Sequence, residues 1–148
     1  MTITLRRGRN LLALVWIAGF IPPFLILAAR TFFGTYYGGK DAEAWGWFSP
    51  NIVPTMGLII STLAADAFDK EQPNKEVPSG FFSLTLLLSL FYVVIFNLIF
   101  LLEPLTNSAP LEIFKRSSLF LGIIQGFVTT VLGVFFIQSA KANCNGAE

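Results

Sequence analysis

Hydrophobic residues fall into four long runs along the chain, and short polar segments separate these runs. The runs cover residues 11–29, 47–65, 80–102 and 117–138, so each is 19 to 23 residues long. About 20 apolar residues in a helix cross the roughly 30 Å of bilayer hydrocarbon. The runs are continuous rather than alternating, which favours helices over the strands of a membrane barrel. The pattern therefore predicts an all-α polytopic membrane protein, in which residues 1–148 form one compact bundle of four transmembrane helices without a soluble domain.

Two pairs of prolines interrupt these runs. Pro22 and Pro23 lie in the middle of the first run, where each removes a backbone donor, and we expect them to kink or break that helix. A static kink is the simpler interpretation, and a hinge or a cavity-lining break is the alternative. Pro50 and Pro54 lie near the start of the second run, where proline is best tolerated. We expect helical structure there to begin only near Asn51.

The composition agrees with a membrane environment and excludes several kinds of chemistry. Hydrophobic residues make up 54% of the 148 residues and charged residues only 13%, whereas soluble domains have about 25% charged residues. The chain has no histidine and one cysteine, Cys144, which excludes histidine-dependent catalysis and an intrachain disulfide. The net charge of +1 gives no field that would attract nucleic acid, so we expect no direct nucleic-acid binding.

The distribution of basic residues predicts the orientation of the chain, because cytoplasmic segments are enriched in Lys and Arg. With the N-terminus inside, the inner segments contain Arg6, Arg7, Arg9, Lys70, Lys75 and Lys141, and the outer ones contain Arg30, Lys40, Lys115 and Arg116. We therefore predict a multi-pass protein of the inner membrane with both termini in the cytoplasm. A cleaved signal peptide is the alternative for the first run, but residues 28–30 form a poor cleavage site, so we expect a retained anchor.

Small residues recur at four-residue spacing in two of the runs. Residues four apart share one helix face, and helices in lipid associate through close packing of such faces. The fourth run contains Ser118, Gly122, Gly126 and Thr130, and the second contains Gly57, Ser61 and Ala65. Packing within one bundle and packing between subunits both fit these stripes, so oligomerisation is one of two open interpretations.

Two strongly polar side chains lie within the runs, at similar depths from the outer surface. Asn97 lies roughly 8 Å and Gln125 roughly 12 Å deep, at 1.5 Å per helical residue. We expect an amide–amide hydrogen bond within or between subunits, and the alternative is the lining of a pore or ligand site.

The segments between the runs provide two candidate surfaces. Tyr36, Tyr37, Trp45 and Trp47 are typical of an aromatic belt at the lipid headgroups, and residues 110–116 are expected to form a short interfacial helix. The segment between the second and third runs is polar and is the candidate docking surface for a cytosolic protein. Its charged residues are Asp66, Asp69, Lys70, Glu71, Lys75 and Glu76. The tail from Lys141 onward is expected to be disordered.

The sequence contains no arrangement of residues that is typical of a catalytic site. All nine acidic residues lie at the ends of the runs, in the connecting segments or in the tail, whereas proton-coupled transport needs a carboxylate in mid-membrane. We therefore expect no enzymatic activity, no cofactor and no metal. The chain is expected to be a self-assembling membrane subunit or scaffold that recruits or signals to a cytosolic partner.

Small proteins of this build occur in prokaryotic multi-component systems, phage defence among them, but such an analogy of architecture assigns no residue. The alternative is a pore-forming effector or channel that permeabilises the membrane. It ranks second because the polar residues within the runs are sparse and uncharged.

Overall fold

The computed structural model describes the backbone of residues 2–34, 36–68, 76–105 and 110–144, and it describes their side chains except at 65–68, 76, 110 and 137–144. Four helices dominate this part of the chain: α1 (Leu5–Phe33), α2 (Asp41–Phe68), α3 (Ser79–Leu102) and α4 (Pro110–Cys144). A short 3₁₀ turn, Glu103–Leu105, follows α3. The predicted all-α bundle is confirmed.

Three of the four helical segments are long and apolar enough to cross a membrane: Leu5–Phe33, Ser79–Leu105 and Leu111–Phe136. Over its described residues helix α2 is not among them, although its 28 residues give it a length of about 42 Å. It packs along α1 and α4 and completes the bundle.

The helices form two antiparallel hairpins, α1–α2 and α3–α4, which dock side by side. The main neighbours around the bundle are α1 with α2, α2 with α4, α4 with α3, and α3 with α1. Neighbours from different hairpins therefore run parallel. We call the end where α1 and α3 begin the N-terminal end, and the end where α2 and α4 begin the distal end.

Two short strands that the sequence did not predict lie at the N-terminal end. Strand β1 (Thr2–Thr4) pairs antiparallel with β2 (Glu76–Pro78), with Ile3 opposite Val77. Because β1 leads directly into α1 and β2 into α3, this ribbon aligns the starts of the two helices at one level.

Several predicted boundaries are wrong. Helix α2 begins at Asp41 rather than near Asn51, so Pro50 and Pro54 lie inside the helix instead of in its first turn. Helix α1 continues through Pro22 and Pro23, so of the expected kink or break only the break is contradicted, and the kink stays a prediction. Residues 110–116 form the first turns of α4 rather than a separate helix, and α4 continues past Lys141 to Cys144.

Aromatic side chains fill the centre of the bundle. Trp16 on α1 stacks on Tyr92 of α3 with a centroid distance of 5.5 Å, and both are fully buried. Trp47 on α2 stacks on Phe96 at 5.3 Å and on Phe114 at 4.3 Å. These rings join all four helices in one core.

The aromatic belt predicted for the distal end is therefore only partly present. Trp47 and Tyr37 are buried in the core, at 7% and 4% exposure, whereas Tyr36 is exposed. The early start of α2 explains the burial of Trp47, because it places this residue on an inward-facing helical position rather than in a loop.

Candidate functional site

The small-residue stripe of α4 faces away from the bundle. Its four members, Ser118, Gly122, Gly126 and Thr130, are all exposed. A β-carbon added at either glycine would meet no atom of the described chain within 4 Å. Helix α4 packs into the bundle through its other face, on which Leu121, Gln125, Val128 and Leu132 are buried.

The stripe of α2 has the same orientation, as far as its side chains are described. Gly57 and Ser61 are exposed, and Gly57 has no neighbour within 4 Å of an added β-carbon, whereas the side chain of Ala65 lies outside the described part. In contrast, Thr85 and Ser89 of α3 are buried inside the bundle. The two glycine-containing stripes are therefore available for contacts outside this chain.

The close helix approaches within the chain use glycines of α1 that the sequence analysis did not single out. A β-carbon at Gly19 would overlap the side chain of Val93 on α3. One at Gly8 would lie 3.1 Å from Phe82 and from Phe135. Gly8 and Gly19 are eleven residues apart, which is three helical turns and one face, so their spacing is a signal that could have been used.

The two intramembrane amides donate to backbone carbonyls instead of to each other. Asn97 Nδ2 on α3 lies 2.9 Å from Gly19 O on α1, and 2.8 Å from Val93 O in its own helix. Gln125 Nε2 on α4 lies 3.0 Å from Pro50 O on α2. The expected amide–amide bond is thus replaced by two separate bonds between the hairpins.

Both acceptor carbonyls are ones that proline deprives of a helical partner. In an α-helix the N–H of residue i+4 donates to the carbonyl of residue i, and proline has no N–H. Pro23 therefore leaves Gly19 O without its usual donor, and Pro54 leaves Pro50 O without one. The amides of Asn97 and Gln125 supply the missing donors in a region where water cannot.

A third buried bond crosses the bundle between α3 and α2. The hydroxyl of Tyr92 donates to Asn51 O at 2.8 Å, and Asn51 Nδ2 in turn donates to Trp47 O at 2.6 Å. Tyr92 is fully buried and Asn51 is 7% exposed. The polar groups of Tyr92 and Asn51 are therefore used in packing the protomer.

An ion pair joins the hairpins at the distal end. Arg30 Nη1 on α1 donates to Glu103 Oε2 at the end of α3 and lies 3.4 Å from the hydroxyl of Tyr37. Glu103 is 1% exposed, and the guanidinium carbon lies 4.3 Å from the ring centroid of Tyr36. Burial raises the pKa of Tyr37 above its ordinary value, so its hydroxyl stays neutral at physiological pH.

The candidate partner loop is described only at its edges. Asp69, Lys70, Glu71 and Lys75 lie outside the described residues, and Asp66 and Glu76 are described in backbone only, in α2 and β2 respectively. Its use as a docking surface stays a prediction.

Within the described residues, no group of three His, Cys, Asp or Glu side chains is placed to hold a metal ion. Comparison of the chain with protein-family models, with curated proteins and with solved structures finds no significant match.

Proposed function

We propose that the chain is a non-enzymatic membrane subunit that assembles with further copies of itself and recruits a cytosolic partner at its N-terminal end. The observation that carries this proposal is the outward orientation of Gly122 and Gly126 on α4. Glycine pairs of this spacing let helix backbones approach closely in lipid, where close packing is the main source of association. A face of this kind that the protomer itself does not use is suited to a second copy.

The alternative, a pore-forming effector, has less support from the same geometry. A water-filled path needs polar side chains that are free to face water. The amides of Asn97 and Gln125 donate instead to carbonyls inside the protomer, and Tyr92 does the same. A pore would therefore have to form between subunits.

We further propose that the protein lies in the inner membrane with both termini in the cytoplasm. Reporter fusions after Lys141 and within residues 31–45 test this orientation. The two reporters should fall on opposite sides of the membrane, and reporters in the same compartment would overturn the assignment.

Native mass spectrometry of the purified protein released from lipid tests self-assembly. We expect the wild type to give one defined homo-oligomer. Gly122→Leu and Gly126→Leu should each weaken association by about tenfold or more, which corresponds to about 1.4 kcal/mol, because the larger side chain separates the backbones.

Gly80→Leu is the matched control, since Gly80 on α3 is also exposed and also lacks a neighbour within 4 Å of an added β-carbon. It should leave the oligomer intact. A wild-type monomer would remove self-assembly from the proposal. An oligomer unchanged in both α4 variants would remove this face from the interface.

A further inference from the structure

An apolar groove runs along the outside of the bundle between α1 and α3, in their distal halves. It has a volume of about 640 Å³, within the range of sites that bind small molecules. Pro22 and Ile26 form its α1 wall, and Val94, Leu98 and Leu101 form its α3 wall. All but a few of its lining atoms are apolar, and the polar lining residues are Asn97 and Arg30.

Both ends of the groove are closed by contacts between the same two helices. Toward the middle of the membrane, Gly19 packs directly against Val93, and Asn97 donates to Gly19 O. At the distal end, Arg30 pairs with Glu103. From Gly19 to Arg30 is eleven residues, or about 16 Å of helix, which matches one leaflet of a hydrocarbon core about 30 Å thick.

The form and lining of the groove suit a lipid acyl chain. The groove is open along its outer side, and its lining is almost entirely apolar. A single lipid acyl chain does fit, and the groove opens into the layer where such chains lie.

Arg30 provides a polar contact at the headgroup end. Both of its hydrogen bonds within the described part of the chain leave from Nη1, and a guanidinium has five N–H donors. Arginine binds phosphate through its remaining donors in the same plane. Its side chain is 18% exposed, so an acceptor at the mouth of the groove can reach it.

We propose that this groove is a binding site for one glycerophospholipid. One acyl chain lies between α1 and α3, from Asn97 to the distal end, and the phosphate accepts hydrogen bonds from Arg30. The site is independent of the assembly function proposed above, since it lies on α1 and α3 rather than on the stripes of α2 and α4.

Native mass spectrometry with added phosphatidylglycerol tests the site. The detergent-purified wild type should retain one phospholipid per protomer. Leu98→Trp fills the groove and should weaken retention by about tenfold or more. Leu90→Trp is the matched control, because Leu90 is on the same helix with the same 43% exposure but does not line the groove, and it should retain lipid like the wild type.

Val94→Trp is a second filling variant, since Val94 is 53% exposed and its replacement places no new bulk in the core. Far-UV circular dichroism establishes that each variant is folded. Loss of lipid in the folded Leu98 or Val94 variant, with retention in the Leu90 variant, supports the site. Equal retention in all four proteins, or no retained lipid in the wild type, overturns it.

Diacylglycerol with the same acyl chains distinguishes the role of the phosphate. It should bind about tenfold more weakly than the phospholipid, because it cannot accept charge-assisted bonds from Arg30. Equal binding of the two lipids would overturn the contact between the phosphate and Arg30.

Discussion

The pairing of Asn97 with the carbonyl that Pro23 leaves open can be tested with one substitution. Asn97→Leu keeps a similar volume but removes the donor to Gly19 O. The bond that Asn97 also makes to Val93 O is less important, because that carbonyl keeps the backbone N–H of residue 97 as its helical donor. The substitution therefore leaves one backbone carbonyl, that of Gly19, without a donor inside the membrane.

The expected cost is about 1–2 kcal/mol of unfolding free energy. A buried polar group that loses its partner costs about 1–3 kcal/mol. Hydrogen bonds between transmembrane helices average about 0.6 kcal/mol and reach about 1.7 kcal/mol. The upper part of this range applies here, since Pro23 has no N–H that could replace the side chain as donor.

A double-mutant cycle with Pro23 tests whether this cost arises from the N–H that proline lacks. Pro23→Ala restores the N–H that the Gly19 carbonyl normally receives, so Asn97→Leu should then cost less than about 0.5 kcal/mol. The coupling energy between the two substitutions should be about 1 kcal/mol. Any gain in helix stability from replacing Pro23 alone cancels in the cycle.

Pro22→Ala is the control for this cycle. Pro22 lies next to Pro23 in the same helix, but the carbonyl that it deprives of a donor is Ala18 O, which Asn97 does not contact. Its coupling to Asn97→Leu should be within about 0.3–0.5 kcal/mol of zero.

Reversible unfolding by SDS in lipid–detergent micelles, followed by far-UV circular dichroism, measures each corner of the cycle. Equal coupling with both prolines, or no coupling with Pro23, would refute the explanation. Gln125→Leu with Pro54→Ala repeats the experiment on α4 and α2, and the same sign of coupling is expected there.

Two further predictions concern contacts between α1 and α3. Gly19→Ala should destabilise the protein by about 1–3 kcal/mol, because the added methyl overlaps Val93, whereas Gly133→Ala, with open space around it, should be neutral or stabilising in the same SDS titration. Glu103→Leu should destabilise the protein by about 1–3 kcal/mol, because Arg30 loses its carboxylate partner but keeps the contact with Tyr37 and some access to solvent. The double replacement Arg30→Met/Glu103→Leu should cost less than Glu103→Leu alone, and a larger cost would contradict the buried ion pair.

The number and approximate position of the helices could be predicted from hydropathy because each transmembrane segment must satisfy its own backbone over the full hydrocarbon thickness. The start of α2 could not be predicted in this way. Apart from Trp45, residues 41–46 are polar or small, and they are helical because Ala44, Trp47 and Phe48 pack into the core. Tertiary packing, rather than local hydropathy, therefore decides where this helix begins.

The outward orientation of the small-residue stripes could not be predicted from the sequence either. In a soluble protein a polar face marks the outside of a helix, but in lipid both faces are apolar. Leu121 and Leu119 on α4 are the same residue type, yet Leu121 is fully buried and Leu119 is 79% exposed. A stripe of glycines can therefore be found from spacing alone, whereas the partner against which it packs cannot.

The polar contacts inside the membrane explain how two apolar hairpins dock in one arrangement. Short connections hold α1 against α2 and α3 against α4, whereas α1 is separated from α3, and α2 from α4, by long stretches of chain. Asn97 joins the first of these separated pairs and Gln125 joins the second. Apolar surfaces of similar shape discriminate weakly between alternative registers, but an unpaired carbonyl in hydrocarbon penalises any register that leaves it without a donor.

Pro23 and Pro54 belong to one hairpin, and Asn97 and Gln125 belong to the other, so the carbonyls that these two prolines leave open are satisfied only when the second hairpin is correctly placed. On this reasoning Pro23 and Pro54 are not simply tolerated in α1 and α2. They create acceptors that specify which helix lies beside which, and at what depth.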